Sequence, residues 1–266
     1  MEGDPKEGGT TLRTVIVATR KGGVGKTTIA VHLAWYLAEQ LKRVLVIDLD
    51  GQANASQTLA MYAVPGAFAS RLFEAATLPT MKPTPVLPED GAIALIPADK
   101  KLDDLGMTDA QRIIPLFVKH LSQFAKQFDV CIIDTPPSAG VCGFAAMIGG
   151  DSVLSPIKLD SYSKEGIQAT VQTVMGVTKR FNKRLRFIGI LPNELDGRSA
   201  SQQTAFEQLL RDFGHMVIPT AIRKAESIAT VPLIKLPVWK LGTTSSREHG
   251  KSMKATFKLI QDRVFA

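Results

Sequence analysis

The sequence predicts an α/β fold, a doubly wound and mostly parallel sheet with helices on both faces. Three observations predict it. Short β-branched runs alternate with helical patterns along the chain. Several of those runs are apolar almost throughout, as strands covered on both faces are. The first run enters a Gly-rich turn and then a helical pattern, the strand–turn–helix order of a phosphate-binding unit.

In chain order, the expected strands are 13–19, 43–48, 92–97, 129–134, 152–157, 186–191 and 216–219. Ile29, Ala30, Leu33, Ala34, Leu37 and Leu41 recur at helical spacing and predict one amphipathic helix. Ile113, Leu116, Phe117, His120, Leu121 and Phe124 predict another. Segment 61–90 breaks the rhythm with Pro65, Pro79, Pro83, Pro85 and Pro88, and reads as a short helix followed by a loop, an excursion from the sheet. The last helix, near 246–265, places Met253, Phe257, Ile260 and Val264 on one face and Lys251, Lys254, Lys258 and Arg263 elsewhere. Two readings of it stay open: docking on the sheet, or a basic amphipathic helix for a membrane surface. Residues 1–10 are polar and Gly-rich and are expected to form a disordered tail, with 11–266 a single domain.

Composition narrows the function classes. Aromatics are only 6%, so stacking of bases on aromatic platforms has no support. The net charge of +7 is unevenly placed. Residues 1–133 hold 14 Lys+Arg and 14 Asp+Glu, whereas residues 134–266 hold 18 and 11, so the whole excess lies in the second half. A one-sided excess suits a polyanion such as DNA or an anionic membrane, or is a solvated basic surface. Cys131 and Cys142 form no CxxC pair, which argues against a zinc or iron–sulfur framework and fits a reduced compartment. The N-terminus lacks the apolar core of a signal peptide. No stretch reaches the roughly 20 apolar residues needed to cross a membrane.

Residues 20–28 read Arg-Lys-Gly-Gly-Val-Gly-Lys-Thr-Thr. In a P-loop, Gly22, Gly23, Val24 and Gly25 would wrap backbone N–H groups around phosphates, and the helix N-terminus would add its positive end. Lys26 would bridge the terminal phosphates of ATP, the Thr27 hydroxyl would ligate Mg²⁺, and Thr28 would reach the α-phosphate. Two strand ends supply carboxylates. Strand 43–48 leads into Asp48-Leu49-Asp50, at the edge where open α/β sheets bind ligands. Strand 129–134 ends in Asp134-Thr135-Pro136-Pro137, a Walker B pattern in which Asp134 would hold Mg²⁺ through water. Each also has a plain reading as a turn that ends a strand.

The loop departs from G-x-x-x-x-G-K-[ST]: Arg20 replaces the first Gly, and Lys21 stands directly before the Gly pair. The pattern K-G-G-x-G-K-T-T resembles the deviant Walker A loop of the ParA/MinD family of ATPases, and the resemblance runs from Val15 to the last helix. It implies that Lys21 reaches across a dimer interface to the partner's nucleotide and neutralises charge on the transferred phosphoryl group. It also implies that Asp50 positions the attacking water and that Asp48 supports the Mg²⁺ shell. Gly51 stands where the family usually has Pro, which is expected to loosen the switch loop. Thr135-Pro136-Pro137 resembles the second switch. Asn193, and Pro219 at the head of segment 219–222, match the family's adenine side; Asn193 also reads as a plain turn residue.

Lys179, Arg180, Lys183, Arg184 and Arg186 put five cations in eight residues. Arg198, Arg223 and Lys224 follow. No base-reading module is recognisable, so contacts to DNA are expected on phosphates, without sequence preference. By resemblance, Arg198 and Arg223 match the family's DNA-binding arginines best; Lys224, Lys183 and Arg184 are further candidates. Segment 151–157 and Pro237-Val-Trp-Lys240 are similar to IncP-type plasmid partition ATPases, of the short ParA type without an N-terminal operator-binding domain. The resemblance implies DNA segregation in the cytoplasm, on the nucleoid. ATP would drive a sandwich homodimer, the dimer would bind double-stranded DNA, and a centromere-binding, ParB-like adaptor would trigger hydrolysis. A MinD-like membrane ATPase is the alternative. A metabolic or cluster-handling P-loop enzyme would share the fold, although the missing CxxC argues against a cluster.

Overall fold

The computed structural model describes residues 12–86, 91–138, 140–160 and 164–266. The tail expected at 1–10, and Pro88, lie outside them. Seven strands form one sheet: β1 Arg13–Val17, β2 Arg43–Asp48, β3 Thr84–Pro85, β4 Ala92–Ile96, β5 Val130–Asp134, β6 Ser152–Lys158 and β7 Arg186–Asn193. Their order is β3-β4-β2-β5-β1-β6-β7, and every pair is parallel except β3 on β4. Register sets the function. Val17 pairs with Asp134, and Asp48 pairs with Asp134, so β1, β2 and β5 end in one row. The chain winds from β1 toward β2 and later returns to its other side with β6, which leaves a crevice beyond the end of β1.

The helices are α1 Lys26–Glu39, α2 Asn54–Thr58, α3 Ala110–Gln123, α4 Val141–Gly149, α5 Lys164–Arg180, α6 Ala200–Phe213, α7 Glu226–Ala229, α8 Val231–Ile234 and α9 Thr244–Phe265. Strand side chains alternate between two buried layers. Val15, Val17, Val44 and Val46 pack under α1 and α9. Ile16, Leu45 and Ile47 pack with Phe117 of α3, Ala145 of α4 and Val177 of α5. Leu209 of α6 closes a smaller cluster with Ile157 and Ile190 at the far edge.

Four expectations change. Segment 216–219 is not a strand of the sheet. It follows a 3-10 turn, Gly214–Met216, and Val217 makes only an isolated parallel bridge to Ile190. Pro219 has no N–H with which to extend a ladder. The helix expected at 29–41 stops at Glu39, and Leu41 turns out to solvent with φ 60° and 69% exposure. Nor is α1 amphipathic: Trp35 and Tyr36 are buried as deeply as the predicted stripe, because α9 and the turn Val238–Lys240 cover its second face. Segment 61–90 holds two 3-10 turns, Ala60–Tyr62 and Ala69–Phe73, before β3, a strand of two residues that periodicity cannot detect. Pro85 is tolerated there because β3 is an edge strand.

The last helix adopts the docked reading, with Met253, Phe257, Ile260 and Val264 buried in the layer beneath it. Tyr36 donates a hydrogen bond to Gln261 at 2.9 Å, and Lys254 pairs with Glu39 at the end of α1. Among the described residues, no helix is long and apolar enough to cross a membrane.

Candidate nucleotide site

The loop between β1 and α1 closes over the row of strand ends. Gly23 and Gly25 take φ of +70° and +89°, a left-handed conformation that β-carbons disfavour. Lys26, the first residue of α1, is buried, and its ammonium donates to the Lys21 carbonyl at 3.4 Å, which curls the loop. Burial lowers its pKa; Asp134 and Asp50 pull it back up. The side chain of Lys21, by contrast, is exposed on the rim of the loop.

Asp134 is the most constrained group of the site. It is completely buried, one carboxylate oxygen accepts the Thr27 hydroxyl at 2.6 Å, and the other has no hydrogen-bond partner. Desolvation, then the nearby Asp48, pushes its pKa up to about 8, against the Thr27 hydrogen bond and Lys26. A buried acid with one oxygen unserved, beside a threonine hydroxyl, is a donor set for a hard cation such as Mg²⁺. Among the described residues, no three His, Cys, Asp or Glu side chains converge as a metal cluster. Such a cation would therefore fill its shell with water and nucleotide phosphate oxygens.

Asp48 stands beside Asp134 and organises the loop that follows it. It accepts from the Asp50 amide at 3.1 Å and from the amide and hydroxyl of Ser56 at 2.8 and 2.7 Å. Burial raises its pKa, and these hydrogen bonds oppose the rise. Ser56 also accepts from the Ala98 amide at 2.9 Å, which joins the loop to the end of β4. Asp50 is half-buried at the mouth of the site, where it accepts from the Gln52 amide at 3.0 Å. Gly51 passes so close to the Asp103 carboxylate that a β-carbon there would press on it. Thr135 donates to the Val17 carbonyl at 2.9 Å and ties the second carboxylate loop to β1.

Asn193 is more than a turn residue. It is buried at the end of β7, and its amide donates to the Val24 carbonyl at 2.8 Å. A β-carbon at Gly25 would collide with that amide, so Asn193 and Gly25 fit one another. Pro219 lies exposed at the same edge, after Ile218 bonds to the Ile190 carbonyl. The roles of Ser56 and Asn193 as supports for the loops have no motif of their own; both depend on contacts that only the tertiary fold creates.

The candidate DNA contacts divide into two groups. Leu195 bridges to Arg223, Lys224 donates its amide to the Leu195 carbonyl at 3.0 Å, and Arg198 bonds through its amide to Asp196 at 3.0 Å. Arg198, Arg223 and Lys224 thus gather at the same sheet edge as the phosphate loop, and the Arg198 amide, desolvation notwithstanding, helps hold Asp196 below the usual carboxylate range. Lys183 and Arg184 do not join them. They precede β7 and lie at the opposite edge, about 25 Å away at roughly 3.3 Å per strand residue.

Comparison with known proteins agrees with this geometry. A family model described as an AAA domain matches residues 12–187. Protein IncC of Escherichia coli is 38% identical over 98% of this chain and 71% of its own length. The chromosome-partitioning ATPase Soj of Thermus thermophilus is 33% identical over 90% of this chain and 92% of its own. The structure of an ATP complex of Cyanothece McdA shares the fold, with a TM-score of 0.79 at 22% identity over 95% of this chain and 98% of that one. With the deviant phosphate loop, the three aligned strand ends and these relatives together, the chain belongs to the ParA-type family of P-loop ATPases.

Proposed function

We propose that the chain is a DNA-partition ATPase that works as an ATP-driven homodimer. The observation that carries this reading is the contrast between its two loop lysines. Lys26 is buried over its own phosphate site, whereas Lys21 projects from the rim, where a partner's nucleotide would meet it. Lys26, the loop amides and the positive end of α1 bind and orient the phosphates. Thr27 and Asp134 would hold Mg²⁺, which would supply positive charge to offset that of the phosphates. Asp50 orients the attacking water, and Lys21 of the second copy faces the transferred group. The adenine lies toward Asn193 and Pro219. Arg198, Arg223 and Lys224 share the nucleotide edge, so a sandwich of two copies lays six such cations along one surface for the phosphates of double-stranded DNA, without sequence preference. A centromere-binding adaptor, ParB-like in role, stimulates hydrolysis and with it the release of the Arg198 edge from DNA.

Sizing chromatography of Lys21→Ala with ATP and Mg²⁺ tests the reading. The variant should bind ATP and remain monomeric. A dimer of wild-type yield, with wild-type turnover, would overturn it.

A further inference from the structure

The turn between α5 and β7 is clamped from inside and carries unpaired charge outside. Lys179 and Arg180 end α5, and Lys183 and Arg184 follow within the turn; all four are exposed. Among the described residues none of the four pairs with a carboxylate, although Arg43, Arg198, Lys254 and Lys258 each do. The turn itself is held firmly. Asn182 is buried, donates to the Met147 carbonyl at 3.0 Å and the Gly150 carbonyl at 2.7 Å, and accepts the Arg184 amide at 3.1 Å. Phe181 and Asn182 both bond through their amides to the Val177 carbonyl, at 2.8 and 3.0 Å. A buried asparagine with three partners fixes the backbone of a turn whose four cations pair with no carboxylate among the described residues. Arg186, just beyond, opens β7 opposite Ser152, which opens β6, so the turn sits at the N-terminal edge of the sheet. The phosphate loop and both carboxylate loops lie at the other edge.

We propose that Lys179, Arg180, Lys183 and Arg184 form a second contact for the phosphate backbone of double-stranded DNA, independent of nucleotide. Fixed, unpaired cations suit a regular row of phosphates. Phe181, the aromatic of the turn, packs edge-on against Phe144 at 5.8 Å yet is 59% exposed, so the vesicle arm of the test below separates a membrane from DNA. With a duplex at each edge, one protomer bridges two DNA segments. That bridging rests on the reading of the Arg198 edge given above; the nucleotide-free contact does not.

Fluorescence anisotropy with a short labelled duplex, without nucleotide and with ATP, between about 50 and about 200 mM salt, tests both parts. The fourfold variant K179A/R180A/K183A/R184A should lose nucleotide-free binding by at least about tenfold, and its log–log salt slope should shrink by roughly 3–4. The swap K183R/R184K should keep both, and unchanged thermal melting of each variant confirms folding. The variant R198A/R223A/K224A should keep nucleotide-free binding and lose the gain that ATP confers. With ATP, beads carrying one duplex should retain a second, labelled duplex, and the fourfold variant should lose that retention, because its dimer keeps only the Arg198 edge. Wild-type nucleotide-free affinity in the fourfold variant would overturn the proposal. So would the loss of binding to anionic phospholipid vesicles with DNA binding untouched. An unaltered ATP response in R198A/R223A/K224A would instead sink the Arg198-edge contact and leave the turn standing.

Discussion

Asp134 concentrates the electrostatic tension of the molecule, because it is wholly buried with one oxygen unserved and its pKa is pushed to about 8. In the unfolded chain the same group titrates near its ordinary 3.8. Between those values the folded protein holds a proton that the unfolded chain has released, so stability falls as pH rises from about 4 to about 8. Asp134→Asn should remove that slope. Urea melts of the nucleotide-free variant should show no gain at the acid end and a gain above pH 8, where the wild type buries a charged carboxylate and the variant a neutral amide. The same variant should bind nucleotide with little response to Mg²⁺. A wild-type pH slope would contradict the account. At this scale the phosphate lysine and the three aspartates were legible: Lys26 begins a helix, Asp48 and Asp134 end strands, and Asp50 follows Asp48 by two residues. The loop-supporting roles of Ser56 and Asn193 were not legible, because only the fold brings them to the Ala98 amide and the Val24 carbonyl.

The helix that carries the phosphate loop is fastened along its length, not only at its tip. His32 sits nearly two turns into α1, completely buried, and burial lowers its pKa to about 4. The neutral ring fits its surroundings: Nδ1 lies 2.7 Å from the Thr28 carbonyl, to which it donates, and Nε2 accepts the Val238 amide at 3.4 Å. Trp35 and Trp239 meet the ring edge-on at 5.5 and 5.7 Å. As pH falls, the unfolded chain takes up the proton first, near 6.5, so stability declines from there down to about 4. His32→Leu keeps the bulk and removes the polar pair. It should cost about 1–3 kcal/mol at neutral pH and weaken the pH dependence between about 6.5 and about 4, as denaturant melts at several pH values would show. An unchanged acid limb would exclude His32 as its source. The sequence pattern showed one apolar stripe on this helix. The second face was illegible because the segments that cover it, Val238–Lys240 and α9, lie far along the chain.

Across the whole molecule the parallel strands were readable from their apolar runs, whereas the edges were not. β3 is too short to show a period, and segment 216–219 has a strand-like composition but reaches only a single bridge. The two-layer core makes the nucleotide site a property of the complete wound sheet. Truncation before Thr244 should therefore leave a chain that keeps every motif residue yet binds no ATP in equilibrium dialysis and melts without cooperativity. Retained binding would show that α1 and the loop are stable without α9.

The strap between Glu39 and α9, through Lys254 and beside Tyr36 and Gln261, also has a meaning in time. Helix α1 is covered by α9, which is synthesised long after it. Until α9 is made, nothing from that helix covers Trp35 and Tyr36, and the nascent chain is expected to expose them. Nucleotide binding is thus expected to switch on only once α9 has been made, after α5 and β7.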